Sequence, residues 1–82
     1  MKQIAWAEAE SSNIGAHYFD EKSQTICIRF NNGGLYVYSA PHDRYVDFIN
    51  SPSMGSYLHN VLKAYPFTRM ADEEELIAYL QL

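Results

Sequence analysis

The sequence predicts an α+β domain: a three-stranded, or with its first segment four-stranded, antiparallel meander packed against two helices, with a further helix at the C-terminal end. Three observations predict it. Residues 14–39 alternate apolar and polar side chains around turn-forming segments. Beyond Pro41 the spacing changes to a helical one. A chain of 82 residues, 48% of them hydrophobic, is long enough for one core and too short for two.

The elements follow in order. Ile14, Ala16 and Tyr18 alternate with Gly15, His17 and Phe19 and predict a strand that ends at the polar turn Asp20-Glu21-Lys22-Ser23. Ile26, Ile28 and Phe30 alternate with Thr25, Cys27 and Arg29, and Leu35–Ser39 alternates again, so these two runs predict a hairpin. Its turn is Asn31-Asn32-Gly33-Gly34, residues that tolerate the positive φ of tight turns. Tyr45, Val46, Phe48 and Ile49 share one face of a short helix that Asn50-Ser51-Pro52 ends. Met54, Tyr57, Leu58, Val61, Leu62 and Tyr65 form the stripe of a second helix, closed by Pro66. Asp72 and Glu75 make an acidic version of a capping box ahead of Leu76, Ile77, Tyr79 and Leu80. The apolar side of that last helix needs a cover, either its own sheet or a second subunit. Residues 1–10 read as an edge strand or an arm. We expect one domain over 1–82, with no repeat or linker.

Six basic and ten acidic residues give a net charge of −4. Duplex binding draws its affinity from Lys and Arg on phosphates, so a nonspecific duplex binder is disfavoured. A small anionic ligand is not, because one or two arginines and a few N–H groups suffice for it. The start of the chain is not that of a secretory leader and no apolar run approaches bilayer length, so a soluble, cytoplasmic protein without a membrane role is expected. A lone Cys27 in an alternating segment reads as a buried strand residue of a reducing compartment.

Seven tyrosines are the notable excess. Tyr36 and Tyr38 lie on the strand face opposite Leu35 and Val37, and Arg29 lies opposite Ile26, Ile28 and Phe30. If the hairpin register pairs these faces, one surface carries an arginine and two tyrosines, suited to stacking bases and holding phosphate. Cross-strand aromatic packing is the other reading. Ser53-Met54-Gly55-Ser56 opens the second helix, where its hydroxyls and N–H groups either receive a phosphate or carboxylate or simply cap the helix. Ser11-Ser12-Asn13 is a polar turn or a donor and acceptor cluster facing the same site. His17, His42 and His59 lack the spacing of metal sites, and no phosphate loop, nucleophile elbow or carboxylate pair appears. No cofactor, metal or catalytic residue is expected.

Ser11-Ser12-Asn13-Ile14, Tyr18, Asp20, Phe30-Asn31-Asn32-Gly33-Gly34, Tyr36, Tyr38, Pro41, Ser53-Met54-Gly55-Ser56-Tyr57 and Tyr65-Pro66 together resemble the KTSC domain. This family is a small module found alone in bacterial and phage proteins and at the C-terminus of some lysyl-tRNA synthetases. The resemblance spans residues 11–69 and leaves 70–82 as a helical extension. Met54 stands where the family commonly has lysine, and Lys63 and Arg69 alone represent the basic residue expected near the end of that helix. The resemblance implies nucleic-acid binding and attaches no catalytic mechanism. The expected function is therefore a non-enzymatic module that binds a nucleotide or single-stranded nucleic acid through Arg29, Tyr36 and Tyr38, with Ser12, Ser53, Gly55 and Tyr57 assisting. The alternative is a phage-type or regulatory interaction protein that sequesters a nucleotide messenger or docks on a host protein. A homo-oligomer built on the C-terminal helix belongs to that reading.

Overall fold

A computed structural model describes residues 3–82. Its strands are β1 (Ala7–Glu8), β2 (Ile14–Asp20), β3 (Thr25–Phe30), β4 (Leu35–Ser39) and β5 (Phe67–Met70). They form one five-stranded antiparallel sheet in the order β1-β2-β3-β4-β5. The helices are α1 (His42–Ile49), α2 (Met54–Asn60) and α3 (Glu73–Leu80), with a 3-10 turn at Leu62–Ala64.

Both faces of the sheet are covered, which explains why β3 is buried along most of its length. On one face Ile14, Ile26, Ile28 and Tyr38 meet Phe48 of α1 and Leu62 of the 3-10 turn, and Met54, Tyr57 and Leu58 of α2 pack against the same cluster. On the other face Cys27, Leu35, Val37 and Met70 meet Leu76 and Leu80 of α3. Leu76 and Leu80, and in part Ile77, are thus covered by the helix's own sheet, whereas Tyr79 stays 51% exposed. Ile4 is buried in that second cluster and Trp6 packs on it, so the initial segment contributes both an arm and the short edge strand β1. Residues 1 and 2 of that segment lie outside the described residues.

The local chemistry fixes the connections. Asp20 accepts hydrogen bonds from the Ser23 N–H and hydroxyl and so closes the β2–β3 turn. Gly33 holds φ at +93° in the β3–β4 turn, and the Asn32 side-chain oxygen accepts from the Gly34 N–H at 2.9 Å. Asp72 caps α3 by accepting from the Glu75 N–H at 2.9 Å, while the Glu75 carboxylate reaches back to the Ala71 N–H.

Three features depart from the sequence reading. The meander has five strands rather than three or four, because β5 pairs with β4. Phe67-Thr68-Arg69-Met70 buries only Met70, so no period of two announces it. The second helix is also shorter than its stripe: α2 stops at Asn60, and Tyr65 turns extended at φ −87°, ψ 155° ahead of Pro66, which disfavours helical backbone in the residue before it. Finally, β2 does not alternate throughout. Ile14 faces Phe30 but Ala16 faces Arg29, so an extra residue, Gly15, bulges the strand. Ile14 therefore shares the α1 side with His17 and Phe19, while Ala16 and Tyr18 take the α3 side. A Cβ at position 15 would approach the Asn31 Oδ1 to 2.9 Å and the Arg29 carbonyl oxygen to 3.4 Å.

Candidate functional site

The hairpin register decides which side chains share a face. Ile26 faces Tyr38 and Ile28 faces Tyr36 across β3 and β4, whereas Arg29 faces Leu35. Residues directly opposite one another project to the same side, so Tyr36 and Tyr38 lie on the α1 side and Arg29 on the α3 side. The expected surface joining Arg29 to the two tyrosines is not formed. Arg29 instead sits over the Trp6 ring, 5.2 Å from its centroid, and reaches Glu8 at 3.5 Å. Trp6 donates in turn to Glu73 of α3 at 3.2 Å. Arg29 therefore anchors the N-terminal arm.

Another arginine takes the expected place. Across β4 and β5, Tyr36 faces Arg69 and Tyr38 faces Phe67. Phe67 is 55% exposed, an unusual value for so large an apolar side chain. The rings are neighbours: Phe30 meets Tyr36 edge-on at 5.4 Å, and Phe67 lies 6.2 Å from Tyr36 and 5.7 Å from Tyr38. Tyr38 itself is buried, which pushes its phenol above the ordinary pKa. A shallow recess of about 330 Å³, lined by Phe30, Asn32, Gly34, Tyr36 and Arg69, opens beside the rings. Arg69 makes no ion pair among the described residues. Sequence reasoning did not place Phe67, or the Arg69 it named as a basic residue near a helix end, beside the tyrosines, because β5 itself carries no periodic signal.

The remaining expected residues gather elsewhere. Ser12, Ser53 and Gly55 line one groove between the β1–β2 connection and α2, together with Asn13, Ser56 and His59. Its geometry is mostly self-satisfied. The Ser53 hydroxyl accepts from the Ser56 N–H and donates to the Ser56 hydroxyl, as a helix cap does. Asn31 Nδ2 donates to the Ser11 and Ser12 carbonyls at 3.2 and 3.0 Å, which fixes the loop against the β3–β4 turn. Tyr57 is half-buried beside Phe48, and its hydroxyl is buried without a hydrogen-bond partner. Nearby Arg44 donates to the Tyr65 hydroxyl at 2.9 Å and to Asp47 at 3.2 Å. Its charge is favoured by the Tyr65 hydroxyl first and by Tyr57 after it, yet only Tyr65 meets hydrogen-bond geometry.

Two buried groups complete the inventory. His17 Nδ1 lies 2.7 Å from the Tyr45 hydroxyl, and burial lowers the histidine pKa and raises that of Tyr45. Cys27 is fully buried and its thiol is pushed up to about 12, first by burial and then by Asp20. No group of three or more metal-ligating side chains occurs among the described residues. Nor is any described helix long and apolar enough to cross a membrane.

A five-stranded meander with helices on both faces defines a small α+β domain. The family model of the KTSC domain matches residues 10–67, and the chain belongs to that family. The crystal structure of a KTSC domain protein from Yersinia pestis is similar to it, with a TM-score of 0.77 at 21% identity over 84% of this chain and 100% of that one. No curated protein matches the chain in sequence.

Proposed function

We propose that this protein is a non-enzymatic module that binds single-stranded nucleic acid or a nucleotide on the β4–β5 edge of its sheet. The observation that carries the reading is the pairing of Tyr36 with Arg69 beside exposed Phe67. An aromatic face accepts any base by stacking, and an adjacent guanidinium holds a phosphate in bidentate fashion, so the two groups match successive parts of one nucleotide. Phe67 and Tyr36 supply the stacking surface and Arg69 the cation. Asn32 at the edge of the recess supplies amide hydrogen bonds to a base. The acidic overall charge suits a contact of few phosphates rather than a duplex.

The test is fluorescence anisotropy with a labelled single-stranded oligonucleotide. Phe67→Ala is expected to weaken binding by about 1–3 kcal/mol, the range for loss of one base–aromatic stack. Parent protein that leaves the anisotropy unchanged, or a Phe67→Ala variant that binds as tightly as the parent, rejects the reading. The exposed edge of β5 favours a second reading, docking of a regulatory protein partner or a second copy along that strand. A mass of one chain by light scattering, together with oligonucleotide binding, selects the first reading over the second.

A further inference from the structure

The aromatic surface on the β4–β5 edge continues past the start of β5. The Ser39 N–H donates to the Pro66 carbonyl at 2.9 Å, so the chain runs alongside β4 one residue before Phe67. Tyr65 is extended too, at φ −87° and ψ 155°. The period of two then sets Tyr65, Phe67 and Arg69 on one side of the chain. Packing agrees with this: the Tyr65 ring lies against the α1-side core beside Tyr36 and Tyr38, the side that the β4–β5 register fixes for Phe67 and Arg69.

Tyr65 brings a second arginine to this line. Arg44 of α1 donates from Nε to the Tyr65 hydroxyl at 2.9 Å, which ties the guanidinium to that end of the surface. Its Nη1 reaches Asp47 at 3.2 Å, an exposed pair of the kind worth little, and Nη2 has no partner among the described residues. A guanidinium held on one edge by a neutral phenol keeps its full charge and its outer N–H groups for an anion. Phe67, 55% exposed, therefore lies between two cations, with Arg69 on one side and Arg44, through Tyr65, on the other. Tyr65 and Arg69 are about 13 Å apart along extended backbone. That span exceeds the backbone repeat of one nucleotide.

We propose that Arg44 is a second phosphate-binding residue of the β4–β5 site, and that the site takes a single strand of several nucleotides rather than a mononucleotide. The inference rests on the nucleic-acid reading of that site and deepens it. Arg69 and Arg44 hold phosphates on either side of a base stacked on Phe67, and the strand runs along β5 toward α1. Cation, ring and cation match the order of phosphate, base and phosphate along a strand. A mononucleotide stacked on Phe67 reaches Arg69 alone.

The experiment is fluorescence anisotropy of the full chain with labelled hexathymidylate over a salt series, with thymidine monophosphate as competitor. The parent is expected to bind hexathymidylate about tenfold more tightly than the monophosphate, since the second contact is made within one complex. Its slope of log K against log salt should be about −1.4, the value for two phosphate contacts on a single strand. Arg44→Ala should bring the slope to about −0.7 and remove most of the tenfold preference, while leaving the monophosphate unchanged. Asp47→Asn, at an exposed position, removes a carboxylate that competes for the same guanidinium, and should tighten hexathymidylate by about two- to fivefold. A role of Arg44 confined to holding Tyr65 would move neither the slope nor the Asp47→Asn affinity. If Arg44→Ala does not fold, Asp47→Asn decides alone. A parental slope in folded Arg44→Ala, or parental affinity in Asp47→Asn, overturns this inference and leaves the site at Phe67 and Arg69 standing. Parent protein that does not bind hexathymidylate overturns both.

Discussion

Tyr36 and Arg69 stand directly opposite one another in the β4–β5 ladder, on the sheet face that also carries Phe67. Arg29, the arginine that the β3 pattern offers first, projects from the other face against Trp6. The two arginines therefore make opposite predictions. Arg69→Ala should weaken a single-stranded oligonucleotide and reduce the slope of log K against log salt by about 0.7, the value for one phosphate contact on a single strand. Arg29→Ala should leave binding unchanged and cost about 0.5–1 kcal/mol of stability through the lost contacts to Trp6 and Glu8. Salt-dependent anisotropy and urea denaturation of both variants check this pair of outcomes.

Why the sequence sets Arg29 rather than Arg69 beside the tyrosines is a matter of register. Alternation within β3 and within β4 shows which residues of each strand share a face, but it does not show how the two strands are paired. The Asn31–Gly34 turn sets Ile28 against Tyr36, and a shift of one residue would have joined Arg29 to the tyrosines. The hairpin, the helix starts at Met54 and Glu73 and the α+β class were legible because each rests on local spacing or a cap. Strand β5 was not, because an edge strand with one buried residue shows its pairing only through the backbone. The Ser12, Ser53 and Gly55 groove was legible as a cluster of residue types, but which hydroxyls already cap the helix is a matter of tertiary geometry.

Gly15 links the bulge in β2 to the loop that follows β1. Gly15→Ala would push its new methyl into Asn31, whose side chain ties down the Ser11 and Ser12 carbonyls. The amide can yield only by loosening those bonds, and the Arg29 carbonyl on the other side limits backbone movement. A loss of about 1–3 kcal/mol is expected, the usual cost of overpacking a close contact. A lowered urea midpoint with an unchanged m-value would show it. An alanine variant of parental stability would show that the loop moves freely.

Tyr57 and Tyr45 offer a paired test of buried hydroxyls. The Tyr57 hydroxyl is buried without a partner, so Tyr57→Phe removes an unpaid desolvation and should be neutral or stabilising by up to about 1 kcal/mol. Tyr45→Phe removes the 2.7 Å partner of His17 and should destabilise by about 1 kcal/mol. Equilibrium denaturation of the two variants under one set of conditions measures the difference directly.

His17 gives stability a pH dependence whose sign follows from burial. The folded-state pKa lies below the ordinary 6.5, because charging the ring costs desolvation. Below pH 6.5 the unfolded chain takes up a proton at this ring more readily than the native protein does, so the unfolded state binds more protons and stability rises with pH. The contribution is complete above the unfolded pKa, falls as the pH drops below it, and levels off below the folded pKa. His17→Gln should therefore flatten the fall in stability just below pH 6.5, leaving the carboxylates to dominate at lower pH. Denaturation curves between about pH 5 and 8 supply the comparison, and a direct NMR titration of the ring gives the direction independently. A His17 pKa at or above 6.5 would mean that a nearby negative charge outweighs the desolvation of the ring.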